Sequence, residues 1–121
     1  MTPHFTTKEL ACKCGCGMLP AQDFMNKVEN LRVSCGFSMP VTSAARCPTH
    51  NAKVSGTGLA GPHTTGRAID LAVDRERAYM VVSAAIAMGF TGIGVQQKGS
   101  GRFIHLDDLP ASHGRPTVWS Y

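Results

Sequence analysis

The sequence predicts an α+β domain: a small, mainly antiparallel sheet with helices packed on one face and a polar site on the other. Three observations lead there. Residues 21–35 and 75–88 repeat apolar side chains at spacings of three and four, the period of a helix buried along one side. Residues 67–73 and 102–107 alternate between apolar and other side chains, the period of a strand. GIGVQ at 92–96 is a further strand, and QKGSG after it is a turn that makes 92–96 and 102–107 a hairpin. With 121 residues and no repeat or linker, residues 1–121 form a single domain.

The elements follow in order. Residues 5–10 form a short helix with Thr6 or Thr7 as N-cap. ACKCGCGMLP is tight and glycine-rich, a loop or knuckle. The helix over 21–35 carries Phe24, Val28, Leu31 and Cys35 on one face, and Gly36 stops it. PVTSA at 40–44 suits a short strand, and a turn or short helix runs from Pro48 through Ala52. Residues 53–66 hold four glycines and a proline and read as a long surface loop. In RAIDLAV, Ile69, Leu71 and Val73 face one side while Ala68, Asp70 and Ala72 face the other. Asp74 is placed to cap the helix over 75–88, whose apolar side holds Ala78, Val81, Val82, Ala85 and Ile86. TVWSY reads as an edge strand.

Composition narrows the classes. Hydrophobic residues make up 43%, enough for one core without disulfides. No apolar run approaches the ~20 residues that span a bilayer. MTPHFTTKEL lacks the basic-then-apolar order of a secretory signal, so synthesis in a cytoplasm is expected. The net charge of +4 favours a polyanionic partner: nucleic acid, an anionic membrane or an anionic wall. The basic residues are scattered and not interleaved with aromatics, which speaks against nucleic acid. Trp119 and Tyr121 read as packing. Five cysteines without a signal segment read as reduced thiols. Alternatively, Cys12, Cys14 and Cys16 form part of a structural zinc knuckle, its fourth ligand Cys47 or a histidine. C-x-C-x-C is not the usual C-x2-C pairing of such sites. A thiol nucleophile at Cys47, paired with His50 or His63, lacks an evident orienting Asn or Asp.

The chemistry concentrates in GPHTTGRAID, residues 61–70, and RFIHLDD, residues 102–108. His63 and Asp70 stand seven positions apart around Gly66. His105 and Asp107 alternate onto one face of their strand, while Ile104 and Leu106 take the other. If the strands of Asp70 and His105 are neighbours, all these polar groups share the face opposite the helices. Two imidazoles and one carboxylate suit zinc, leaving a fourth position for water as catalytic sites do. A simple surface ion pair of His105 and Asp107 is the plainer alternative. His4, His50 and His113 lack comparable partners.

Five ordered blocks then resemble one family. FTTKELACKCGCG is similar to an opening FxxxEFxCxCGCG, and VTSAARCPTHNAKVSG to TSGYRCPxHNxxVGG. GPHTTGRAID matches an HxxGxAxD core, GFTGIGV resembles GFxGIG, and FIHLD resembles FVHVD. These are blocks of the zinc D-Ala-D-Ala carboxypeptidase family, which includes phage endolysins that cleave L-alanyl-D-glutamate bonds; the likeness is greatest to its short, single-domain phage and prophage members. The resemblance implies one zinc ion per chain on His63, Asp70 and His105, with Arg46 orienting the substrate. His50, in the turn after Arg46 and near the glycine-rich loop, is a further candidate substrate-binding residue. An acidic residue three positions before the last histidine serves as base in several branches. Arg102 stands there, so the resemblance leaves Asp107 as general base, with Asp108 as substitute. The chain departs from the family at Gly61, where a serine is usual, and in TSAAR, which lacks a tyrosine.

The expectation is a monomeric zinc metallopeptidase acting on peptidoglycan stem peptides, made in the cytoplasm of a bacterial host and reaching the wall after release. Two alternatives stand beside it: a catalytically silent wall-binding module, and a basic nucleic-acid-binding domain built on a Cys12–Cys16 knuckle.

Overall fold

A computed structural model describes all residues, 1–121. The chain begins with α1 (Thr7–Leu10), capped by Thr6 in a reciprocal box with Glu9. Next is α2 (Gln22–Cys35), closed by Gly36 in the left-handed conformation. Strand β1 (Val41–Ser43) follows, then α3 (Pro48–Val54), β2 (Ala68–Leu71) and α4 (Arg75–Ala87). The hairpin of β3 (Gly92–Gln96) and β4 (Phe103–Asp107) leads to β5 (Thr117–Ser120). The strands form one sheet in the order β1-β2-β4-β3-β5. All neighbours pair antiparallel except β5, which runs parallel to β3 along the edge. The predicted α+β class and the mainly antiparallel sheet are present.

One sheet face carries Ile69, Leu71, Ile93, Ile104 and Leu106. They pack against Phe24, Val28 and Leu31 of α2 and Ala78, Val81 and Ala85 of α4 in one buried cluster. Burial of this apolar surface is the main force holding helices to sheet, at about 25 cal/mol per Å². It also fixes register. A slip of one residue would turn Ile104 and Leu106 outward and press the polar His105 and Asp107 against the helices.

Three local expectations differ. The long loop over 53–66 is shorter than predicted, because α3 runs on to Val54 and a 3₁₀ turn spans Pro62–Thr65. Proline at the first turn suits both helices, since its missing N–H would have no partner there. Asp74 stands at the N-cap of α4 as expected, but its side chain makes no capping bond; its carboxylate pairs with Arg75 Nη1 at 2.7 Å instead. Ile86 is 64% exposed, so the apolar face of α4 ends at Ala85.

Candidate metal centre and cleft

The register of the sheet builds the site. Asp70 on β2 stands opposite His105 on β4, and Gly94 on β3 stands on the other side of His105. Side-chain alternation puts all three on the face away from the helices. His63 enters from the 3₁₀ turn just before β2. The residues on this face are buried too, because side chains of edge strand β5 lie across it: Trp119, level with Gly94, puts its ring 5.1 Å from that of His105.

Each imidazole is oriented by its second nitrogen. His63 Nδ1 lies 2.7 Å from the carbonyl oxygen of Ala44. A carbonyl only accepts, so Nδ1 carries a proton, and Nε2 faces Asp70 Oδ2, 3.3 Å away. His105 Nε2 donates to Asp107 Oδ2 at 2.8 Å, and its Nδ1 faces Asp70 Oδ1 at 2.9 Å. One donor atom from each of His63, Asp70 and His105 lies within 4.8 Å of the others. Donors bound at about 2.0–2.1 Å to a tetrahedral zinc ion are separated by about 3.3 Å. The donor set and its spacing therefore fit such an ion.

Electrostatics agree with a cation site. Burial works against charge on Asp70, yet hydrogen bonds from His105 and His63 bring its carboxyl down to about 2. Burial likewise opposes charge on His105, but Asp107 and Asp70 outweigh it and raise the imidazole above its ordinary value.

Arg46 joins this group. Its Nε donates to Ser43 Oγ at 3.0 Å, its Nη1 to Asn51 Oδ1 at 2.9 Å, and its Nη2 lies 3.9 Å from Asp70. Asn51 is itself buried and donates to Thr57 Oγ1 and the Gly58 carbonyl. A cleft of about 400 Å³ opens over the site, its walls including Arg46, His63, Asp70, His105, Trp119 and Tyr121.

Three expected residues stand elsewhere. Asp107 touches His105 but lies behind it, fully buried and outside the cleft. Arg115 donates to both of its oxygens, and the Leu109 N–H donates to Oδ1. Burial raises the Asp107 pKa, but Arg115 and His105 overcome this and hold it well below the usual carboxylate range. A base must be reachable and titrate near the working pH. The geometry instead sets Asp107 against His105 Nε2, where it orients the imidazole. Asp108, the substitute, is taken by Arg67 and Lys27. His50 lines a separate groove with Lys13 and Ser43, and its N–H points at Cys47 Sγ.

Arg115, Trp119, Tyr121 and Asn51 belong to the site without having been singled out as site residues. The tail residues were hidden because only tertiary folding brings them over β3 and β4. The glycines of GIGV were their trace. A Cβ at Gly92 would lie 2.1 Å from Asp107 Oδ1, and one at Gly94 would lie 2.8 Å from Trp119 Nε1. Glycine at these two places is the space that the site occupies.

A two-histidine, one-carboxylate set on the open face of an α+β sheet, under a cleft, has the make-up of a metallohydrolase centre. Residues 3–107 match the family model described as Peptidase M15. The chain belongs to the Peptidase M15 family, as the five blocks imply, and the matched residues contain all three candidate ligands. No curated protein matches the chain significantly.

Proposed function

We propose that this protein is a zinc metallopeptidase that hydrolyses peptide bonds of peptidoglycan stem peptides, in the manner of a phage or prophage endolysin. The observation that carries the reading is the convergence of His63, Asp70 and His105 at the floor of the cleft in a chain of this family. The net charge of +4 supports an anionic wall as the place of action, reached after release from the host cytoplasm.

A zinc ion on these residues would polarise the scissile carbonyl and lower the pKa of a bound water to around 7. The protein's part is positioning and charge. Asp107, clamped by Arg115, holds the Nε2 proton of His105 and so keeps Nδ1 turned to the cleft. Arg46 is pinned by Ser43 and Asn51, which leaves Nη2 to meet a substrate carboxylate or an oxygen gaining charge. Tyr121 also lines the cleft. Burial raises its phenol above the ordinary value, so at neutral pH it keeps its proton and can donate a hydrogen bond.

A second reading rests on one observation. Apart from Asp70, no carboxylate lines the cleft. A module that holds metal and stem peptide without turnover would look the same.

Digestion of purified peptidoglycan, with mass spectrometry of the new termini, separates the readings. The peptidase releases fragments with new amino termini, and this stops after chelation and in His105→Ala. Wall pelleting without new termini establishes the silent module. Neither cleavage nor pelleting overturns both.

A further inference from the structure

A second set of metal-ligating side chains lies outside the cleft. The sulfurs of Cys12, Cys14, Cys16 and Cys47 all fall within 4.8 Å of one another. Three come from the knuckle after α1. The fourth is the N-cap residue of α3 and follows Arg46 directly. Cys12 Sγ and Cys14 Sγ are 3.4 Å apart, and Cys14 Sγ and Cys47 Sγ are 3.6 Å apart. A disulfide needs about 2.0 Å, and all four are free thiols. Four thiolates bound at about 2.3 Å to a tetrahedral zinc ion lie about 3.8 Å apart. These two contacts are within a few tenths of an ångström of that spacing, and the remaining pairs stay within 4.8 Å.

The backbone is shaped around the sulfurs. Gly15 and Gly17 adopt φ values of +86° and +87°, left-handed geometry that a side chain disfavours. They let a C-x-C-x-C run curl so that its three side chains converge. The turn is closed by Gly15 N–H to the Cys12 carbonyl and by Cys12 N–H to the Met18 carbonyl. Two backbone amides also donate to sulfur: Cys47 N–H to Cys12 Sγ at 3.3 Å and His50 N–H to Cys47 Sγ at 3.4 Å. Such donors offset the charge that a thiolate cluster carries. Core packing does not explain the arrangement, because Cys14 and Cys16 are exposed.

We propose that Cys12, Cys14, Cys16 and Cys47 bind a structural zinc ion, distinct from the one in the cleft. Four protein ligands leave no open position, so this ion has no part in hydrolysis. It ties the knuckle to the turn that presents the cleft residues. On that turn the Ala44 carbonyl accepts from His63 Nδ1, Ala45 N–H donates to the Leu10 carbonyl, and Arg46 N–H donates to the His63 carbonyl. The sequence alone left the fourth ligand open between Cys47 and a histidine; the fold brings Cys47. The expected content rises from one zinc ion per chain to two.

Metal analysis and cobalt substitution test this on the whole chain. The protein purified with a thiol reductant should carry two zinc ions. A His63→Ala/His105→Ala variant should keep one, and its cobalt form should show intense sulfur-to-cobalt charge-transfer absorption. Cys16→Ser, at the exposed edge of the cluster, should weaken that band while the His/Asp site still fills. The proposal is overturned if the double histidine variant binds no metal, if its cobalt form lacks the sulfur band, or if the native protein's mass shows these cysteines paired as disulfides. The intact chain and the histidine variant decide the matter even if Cys16→Ser does not fold. Loss of the cleft ion alone would count against the peptidase reading and leave this site standing.

Discussion

Arg115 grips Asp107 with two nitrogens, Nε at 2.9 Å from Oδ1 and Nη2 at 2.7 Å from Oδ2. This pair sits directly behind His105 and fixes which nitrogen of the imidazole faces the cleft. The arginine comes from the tail and the aspartate from the central strand β4, so the tail is tied to the chemistry by a buried, bidentate ion pair.

Breaking that pair should cost both stability and metal affinity. In Arg115→Ala the fully buried Asp107 loses its main partner, a loss worth about 3–5 kcal/mol in buried pairs. Asp107→Asn should fold but weaken zinc binding by about 10–100-fold, as loss of an orienting carboxylate does elsewhere. Urea titration and competition with a chromophoric chelator measure the two. Unchanged zinc affinity in Asp107→Asn would show that His105 needs no such support.

The two glycines of β3 should respond differently to alanine. Gly92→Ala drives a methyl group into the carboxylate of Asp107, and overpacking of this kind costs about 1–3 kcal/mol. Gly94→Ala meets the indole of Trp119 and the hydroxyl of Tyr121, side chains of the partly exposed tail that can shift together. It should melt near wild type and reshape the cleft, read as a raised KM on a stem-peptide substrate.

Asn51 should act through Arg46. Asn51→Ala removes the acceptor at Nη1 and frees the segment held through Thr57 and Gly58. One lost hydrogen bond to a charged group is worth about 1.5–3 kcal/mol. The loss should fall mainly on KM, with zinc content unchanged. A fall in kcat alone would place Asn51 nearer the reacting atoms.

The pH dependence of the metal-free chain follows from the shifted groups. The carboxyls of Asp70, Asp107 and Asp108 titrate below their unfolded value of 3.8. Their contribution is complete above that value and is lost as pH falls through the folded values. His105 is raised above 6.5. Its contribution is complete below 6.5 and is lost as pH rises through the folded value. Metal-free protein should therefore be most stable between about pH 4 and 6.5. Zinc must displace the proton on His105, so zinc affinity should climb as pH rises past that range. Melting temperature and zinc affinity across pH check both trends.

Much was legible in the sequence because it rests on local periodicity. The helix faces of Phe24, Val28 and Leu31 and of Ala78, Val81 and Ala85 follow from a period near 3.6. The alternation of Ile104, His105, Leu106 and Asp107 follows from a period of two. These patterns, with the ordered blocks, determined the fold class and the placing of Asp70 and His105 on one face, with His63 in the segment just before. What lies beyond a residue's own neighbours was decided by tertiary structure. Whether Asp107 faces water or Arg115 depends on where the tail returns, and no local rule sets the path of residues 108–116. Likewise, that Cys47 joins the knuckle while His50 turns to another groove depends on how α3 docks. Periodicity encodes which side of an element faces the core; only packing between distant segments decides which partner each polar group meets.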